Sequence, residues 1–352
     1  MVLDVIDWPG HRTGLRIGRT CAVAGVLALL CALGAQGEKK QPQQVKPMAG
    51  PRGTVLRITW LYISPDTGSQ KVDRVQIGRE MVVAEKSGAW MRVFANTDVD
   101  ELHTRDQPFF TDDSTIQPPV SGWIEAKGVV EETTPNGDQV LMGAAANQES
   151  LASNPRGPVN AAQSARLLYR RLVEMFPNSP LAGAAAWRAA DIQWQLQKAD
   201  AGTRPSAEEN DPSMRDLLDD TELKKVIKYY PNSRWADLAA YDRLDNQMCG
   251  DWQGTEKCPE KESEVYEKYA DEHPNGPRTA QSLYEAAYRQ AVLANMYATD
   301  GDQGKSDKAK QHARELADAL KAKFPDADYR WRAGTLVYKL DEGIPVYGID
   351  QQ

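Results

Sequence analysis

Four histidines are all that this chain offers as bases near neutral pH: His11, His103, His273 and His312. A general base works only with a nucleophile or substrate atom in convergent reach. None of the four stands beside a nucleophile elbow, a His-Glu-x-x-His zinc helix or a glycine-rich phosphate loop. His103 lies in an acidic stretch, His312 on a polar helix face, and His273 at the end of a helix-like run, where a cation is favourable anyway. Adjacent carboxylates occur at Asp112-Asp113 and Asp219-Asp220. Paired acids cleave glycosidic bonds only when they flank the bond, and neighbours on a polar stretch are ordinarily solvated. Asp98, Asp100, Asp106, Asp112 and Asp113 supply oxygens for calcium, but their spacing fits no defined loop. The expectation is a chain with no catalytic residue, no metal and no cofactor.

Cys249 and Cys258 sit in one loop, Cys-Gly-Asp-Trp-Gln-Gly-Thr-Glu-Lys-Cys. A metal site needs further ligands at matching spacing, and the neighbouring sequence has none. An exported chain would close this pair as a disulfide, adding about 2 kcal/mol in the chain-entropy picture. Export is what the beginning suggests. Arg12, Arg16 and Arg19 precede an apolar run over residues 21–33, and Gly34, Ala35 and Gly37 follow it. The run is too short to span a bilayer and fits a cleaved signal over residues 1–37. Acylation of Cys31, giving an outer-membrane lipoprotein, is the competing expectation, although Leu30 stands where a small residue is usual. The expected location is periplasmic or secreted, with no transmembrane segment once the signal is removed. A formal net charge of −8 with no basic block argues against nucleic acid as a partner.

The elements that must position any binding residues come in two textures. Residues 38–49 are polar and Pro-containing, as in a disordered leader. From 50 to 132 short runs rich in β-branched and aromatic residues (55–58, 80–84 and 90–94) predict strands, and residues 86–89 predict a tight turn between the last two. A module of that size is expected to close as a small barrel or sandwich. It carries an acidic insertion over residues 97–119. Residues 133–157 hold turn formers and small residues and predict a linker.

From 158 the period becomes helical. Ala165, Leu168, Tyr169, Leu172, Met175 and Phe176 mark one apolar stripe; Leu223, Val226, Ile227 and Tyr230 a second; Ala313, Leu316, Ala317, Leu320 and Phe324 a third. The stripes end in one recurring phrase: Phe176-Pro177-Asn178-Ser179, Tyr230-Pro231-Asn232-Ser233, His273-Pro274-Asn275-Gly276 and Phe324-Pro325-Asp326-Ala327. Proline ends a helix because it lacks an N–H and bars helical geometry from the residue before it. Each phrase therefore predicts a corner between antiparallel helices in a stack of repeats. Loops at 200–212 and 299–306 lengthen the repeats, and the helix after Asp326 has no clear partner following it.

On these phrases, with Ala185-Trp-Arg-Ala-Ala-Asp-Ile-Gln-Trp194 and its later counterparts, residues 158–345 resemble tetratricopeptide repeats of the BamD and Tol-associated coordinator type. Residues 346–352 form a tail. Trp60-Leu-Tyr-Ile-Ser-Pro65, Gly78, Gly88-Ala-Trp-Met-Arg-Val93 and Gly122-Trp-Ile-Glu-Ala126 make residues 50–132 similar to a bacterial SH3-like domain. Together these resemblances imply an all-β barrel followed by an all-α stack that binds another envelope protein or a peptide. Peptidoglycan is the further partner implied for the barrel. An outer-membrane assembly factor and a cell-wall hydrolase are the alternatives.

Trp187, Tyr241 and Tyr284 each lie ten residues beyond their own proline, and Trp194 and Met248 follow a turn or two later. In tetratricopeptide stacks that register tends to the inner face of the first helix, where such side chains anchor a peptide. Flanking alanines fit an alternative in which the rings fill gaps between helices. Trp60 and Tyr62 are the corresponding candidates on the barrel.

Overall fold

Four helices stop in the same backbone shape. The computed structural model describes residues 50–98, 119–252 and 254–348. In it Phe176, Tyr230, His273 and Phe324 all adopt φ between −130° and −125° and ψ between 51° and 63°. Each is forced out of the helical region by the proline that follows. Each still donates its N–H to the carbonyl four residues back, at 2.8–2.9 Å. The chain then turns into the next helix. At the second corner Asn232 takes a left-handed φ of 56°, and the Ser233 hydroxyl accepts the Ala236 N–H at 3.2 Å as an N-cap.

Seven strands precede the helices: β1 (Arg52–Val55), β2 (Thr59–Tyr62), β3 (Lys71–Val75), β4 (Glu80–Ser87), β5 (Trp90–Ala95), β6 (Val120–Glu125) and β7 (Val129–Glu131). They pair antiparallel in the order β3-β2-β6-β5-β4-β1-β7. β4 and β5 meet in a two-residue turn, Ser87 opposite Trp90, with Gly88 at φ 57°. The expected barrel is corrected here: among the described residues β3 and β7 end the order unpaired to each other, so the sheet stays open. Its core is Val55, Leu61, Val75, Met81, Val93 and Ile124.

Nine α-helices follow among the described residues: α1 (Gly137–Ala152), α2 (Ala161–Met175), α3 (Ala182–Ala201), α4 (Thr221–Tyr229), α5 (Arg234–Asp242), α6 (Lys257–Glu272), α7 (Thr279–Thr299), α8 (Gln303–Lys323) and α9 (Asp328–Asp341). The proline corners join α2 to α3, α4 to α5, α6 to α7 and α8 to α9. The stretch 133–157, expected as a linker, contains α1. Its buried residues are small or few, Gly137, Leu141 and Ala145, so it draws hardly any stripe, yet smallness is what lets it lie against α2. A methyl on Gly137 would meet the Phe176 ring at 2.4 Å. The stretch 299–306 is mostly helix too, since α8 starts at Gln303 with Asp302 accepting the Lys305 N–H at 3.0 Å. The helix after Asp326 packs on α7 and α8, burying Ala333, Leu336 and Leu340. The tail folds back on α7: Val346 is buried, and its carbonyl accepts from Asn295 at 2.7 Å.

No slack separates sheet from helices. Val130 of β7 shares one core with Leu141, Leu168 and Leu172. Beside it, the buried Arg171 of α2 reaches Asp98 at 2.8 Å, Glu80 at 3.2 Å and the Gly78 carbonyl at 3.1 Å. Arg79 holds the other Asp98 oxygen at 2.7 Å, and Arg52 pairs with Glu80. Gly78, at φ 78°, comes so near α2 that a methyl would sit 2.6 Å from Leu167 Cβ. Charges this deep hold only when mutually paired.

The signal, the leader, Cys31, His103, most of the acidic insertion and its calcium candidates other than Asp98 lie outside the described residues. Asp98 itself is committed to Arg79 and Arg171. Among the described residues no helix is long and apolar enough to cross a membrane.

Candidate functional site

Trp187 projects from α3 towards α5. It stacks on Trp235 with ring centres 5.8 Å apart and donates its indole N–H to Asp242 at 3.0 Å. Two turns on, Trp194 repeats the motif, donating to Asp245 at 2.9 Å, and Lys198 pairs with the same oxygen at 2.9 Å. The environments differ. Trp194 is 1% exposed, a core ring between α3 and its neighbours, whereas Trp187 is half-buried, with the Arg188 guanidinium 5.0 Å from its ring. Small residues make the approach close, since Ala185, Ala190 and Ala239 are fully or nearly buried.

Tyr241 continues the face into the next junction. It meets Tyr269 edge-on at 5.2 Å and Tyr266 at 6.2 Å, with the exposed Arg278 guanidinium 5.8 Å from its ring. Tyr284 is buried, 5.6 Å from Tyr329 of α9, and is packing. Met248 is half-buried, beyond the end of α5. Trp60 and Tyr62 lie apart, on the sheet. Trp60 is 39% exposed, with Lys71 4.6 Å and Arg74 5.4 Å from its ring. Tyr62 is half-buried edge-on to Trp90 at 5.5 Å.

Asp242 was not among the residues singled out by spacing. Its carboxyl is pushed up to about 7, first by burial and then by the negative charge of Asp191, with the Trp187 N–H pulling the other way. A carboxyl whose pKa is raised on folding favours the protonated state. Its stabilising contribution is complete below the unfolded value near 4 and vanishes as pH rises through about 7. Asp242→Asn should therefore gain stability over the parent between pH about 4 and about 8. Urea titrations of both proteins at the two pH values check this; a constant difference would refute it. The signal available in sequence was Tyr241-Asp242 followed by Asp245, acids one residue and one helical turn beyond a recognised aromatic.

The described residues weighed for catalysis each contact a neighbouring side chain or backbone group. His273 Nδ1 lies 2.8 Å from Asp237, with its ring stacked on Tyr269 at 4.7 Å. His312 Nε2 is 2.9 Å from Glu267. Asp219 accepts the Thr221 N–H at 3.0 Å, and Asp220 pairs with Arg243 and Lys224, both at 2.8 Å.

Cys249 and Cys258 are joined, with Cα atoms 5.9 Å apart. The loop they close is pinned by the buried Glu262, which accepts from the Cys249 N–H at 2.9 Å, the Trp252 indole at 3.1 Å and Arg289 at 3.0 Å. Among the described residues no cluster of three or more His, Cys, Asp or Glu gathers as a metal site.

No family model matches this chain. No curated protein matches it either. Among solved structures, a chain described as "DHF79 filament" is similar over 56% of this chain and 95% of its own length, at 15% identity and a TM-score of 0.22. At that score it carries no argument about fold or function.

Proposed function

We propose that this chain is an exported, non-catalytic binding protein whose helix pairs stack as tetratricopeptide-like repeats and whose strands form an SH3-like module. The partner is an extended polypeptide held along α3 and α5. The carrying observation is Trp187: a half-buried indole stacked on Trp235, with an acidic neighbour, Asp242, whose charge burial opposes. A partly accessible aromatic ring beside a poorly solvated carboxylate suits a partner segment carrying one basic and one apolar side chain. The joined cysteines agree with an oxidising compartment, and the shared corner geometry supports the repeat reading.

Affinity capture from envelope extract with the full chain, repeated with Trp187→Ala and Tyr241→Ala, tests it. The expected result is loss of the captured partner by at least about tenfold in Trp187→Ala, with circular dichroism unchanged. Undiminished capture by a folded Trp187→Ala protein would remove the site.

A further inference from the structure

Arg215 is the one guanidinium whose Nε is buried with no hydrogen-bond partner while its side chain lines a cavity, among the described residues. The cavity, of about 220 Å³, lies between the end of α3, the turn at Pro205–Glu208, the stretch 215–218 before α4, and the turn Arg243–Gln247. Its other charged and amide groups are already engaged. Lys198 pairs with Asp245, Asp216 with Arg204 at 2.8 Å, and Asn246 exchanges two bonds with the Leu218 backbone. The acids whose charge acts on Arg215 are Glu262 and Asp245. Both are spent, Glu262 on Arg289 and the disulfide loop, Asp245 on Trp194 and Lys198.

The contrast with Arg289 is direct. Burial opposes the charge of both. Around Arg289 the neighbouring Tyr266, Glu285 and Glu262 more than compensate; around Arg215 burial prevails and its pKa is held below the usual range. A partly buried, unpaired cation is costly and ready to accept an anion. A planar fork selects a carboxylate. Leu217, Leu218 and Met248 also line the cavity and supply apolar surface, and the volume admits a group about the size of one amino-acid side chain.

We infer that the cavity at Arg215 binds a carboxylate carried on a short branched apolar group. This inference does not depend on the polypeptide face at Trp187. Titration of the full chain, with Cys249–Cys258 oxidised, uses 4-methylpentanoate and 4-methylpentanamide as probes, followed by a pentapeptide ending in leucine with a free or an amidated end. Saturable binding of either free carboxylate, weakened about tenfold or more by amidation and by Arg215→Gln, is expected. The small acid binding alone identifies a free acid as the ligand; the peptide alone identifies a chain end. Equal binding of acid and amide, equal binding by Arg215→Gln, or no saturable binding of either carboxylate up to about 10 mM, tenfold weaker than a millimolar complex, overturns the inference. Leu217→Asp, at an exposed position on the wall, gives a second arm that leaves Arg215 in place. It should weaken both carboxylates, and unchanged binding there also counts against the site. Trp187→Ala should leave these titrations unaltered, separating this site from the proposed polypeptide face.

Discussion

Arg171→Leu should lower the unfolding free energy by about 3–5 kcal/mol. Arg171 and Asp98 side chains are each 1% exposed, and Glu80 is 8% exposed. Removing the guanidinium leaves Asp98 and Glu80 with Arg79 and Arg52 as their charged partners and takes one partner from Glu174 as well. Leucine fills part of the space but supplies no donor for the Gly78 carbonyl. The measurement is urea unfolding followed by both near- and far-ultraviolet circular dichroism. Adding Asp98→Leu should recover part of the loss, because replacing a buried pair by apolar groups is far cheaper than breaking it. A loss under about 1 kcal/mol would place Arg171 with surface pairs and refute the welded junction.

Trp194→Ala should cost a similar amount, about 3–5 kcal/mol, by opening a cavity at a fully buried ring between α3 and the second helix pair. Trp194→Phe keeps most of the volume and loses the bond to Asp245, so its expected cost is about 1 kcal/mol; Lys198 still pairs with that carboxylate. Trp187→Ala, starting from a ring that is not fully buried, should destabilise less than Trp194→Ala. Thermal or urea unfolding of the three variants gives the order. If Trp187→Ala proved as costly as Trp194→Ala, the two rings would share a purely structural role and the partner face would lose its anchor.

The corners were legible because their cause is local: a proline bars the preceding residue from helical geometry wherever it stands, and four copies announced four turns. The disulfide was legible for the same reason, two cysteines in one short loop. α1 was not, because its burial rests on Gly137 and Ala145, whose smallness reads as a linker and matters only against Phe176 and α2. Strand pairing was read from local composition, which gives no sign of whether β3 and β7 meet, so a closed barrel was expected where the ladder is open. Trp187 and Trp194 looked equivalent by spacing. Their exposures differ because Trp194 sits deeper, where helix α4 and the turns before it cover α3. Arg171 and Arg215 were invisible for one physical reason: an arginine in a helical stripe or loop defaults to solvent, and only partners distant in the chain bring it under cover.

The short span from Glu131 to Gly137 has a mechanical corollary. Thr134 ties back to the Glu131 N–H at 2.8 Å, and Arg171 bolts the strands to the second helix, so no hinge is left for the two parts to swing about. A tethered pair of modules gains from search volume and loses direction; this arrangement does the reverse. The Trp60 surface is thereby held at a set bearing and distance from the face along α3 and α5.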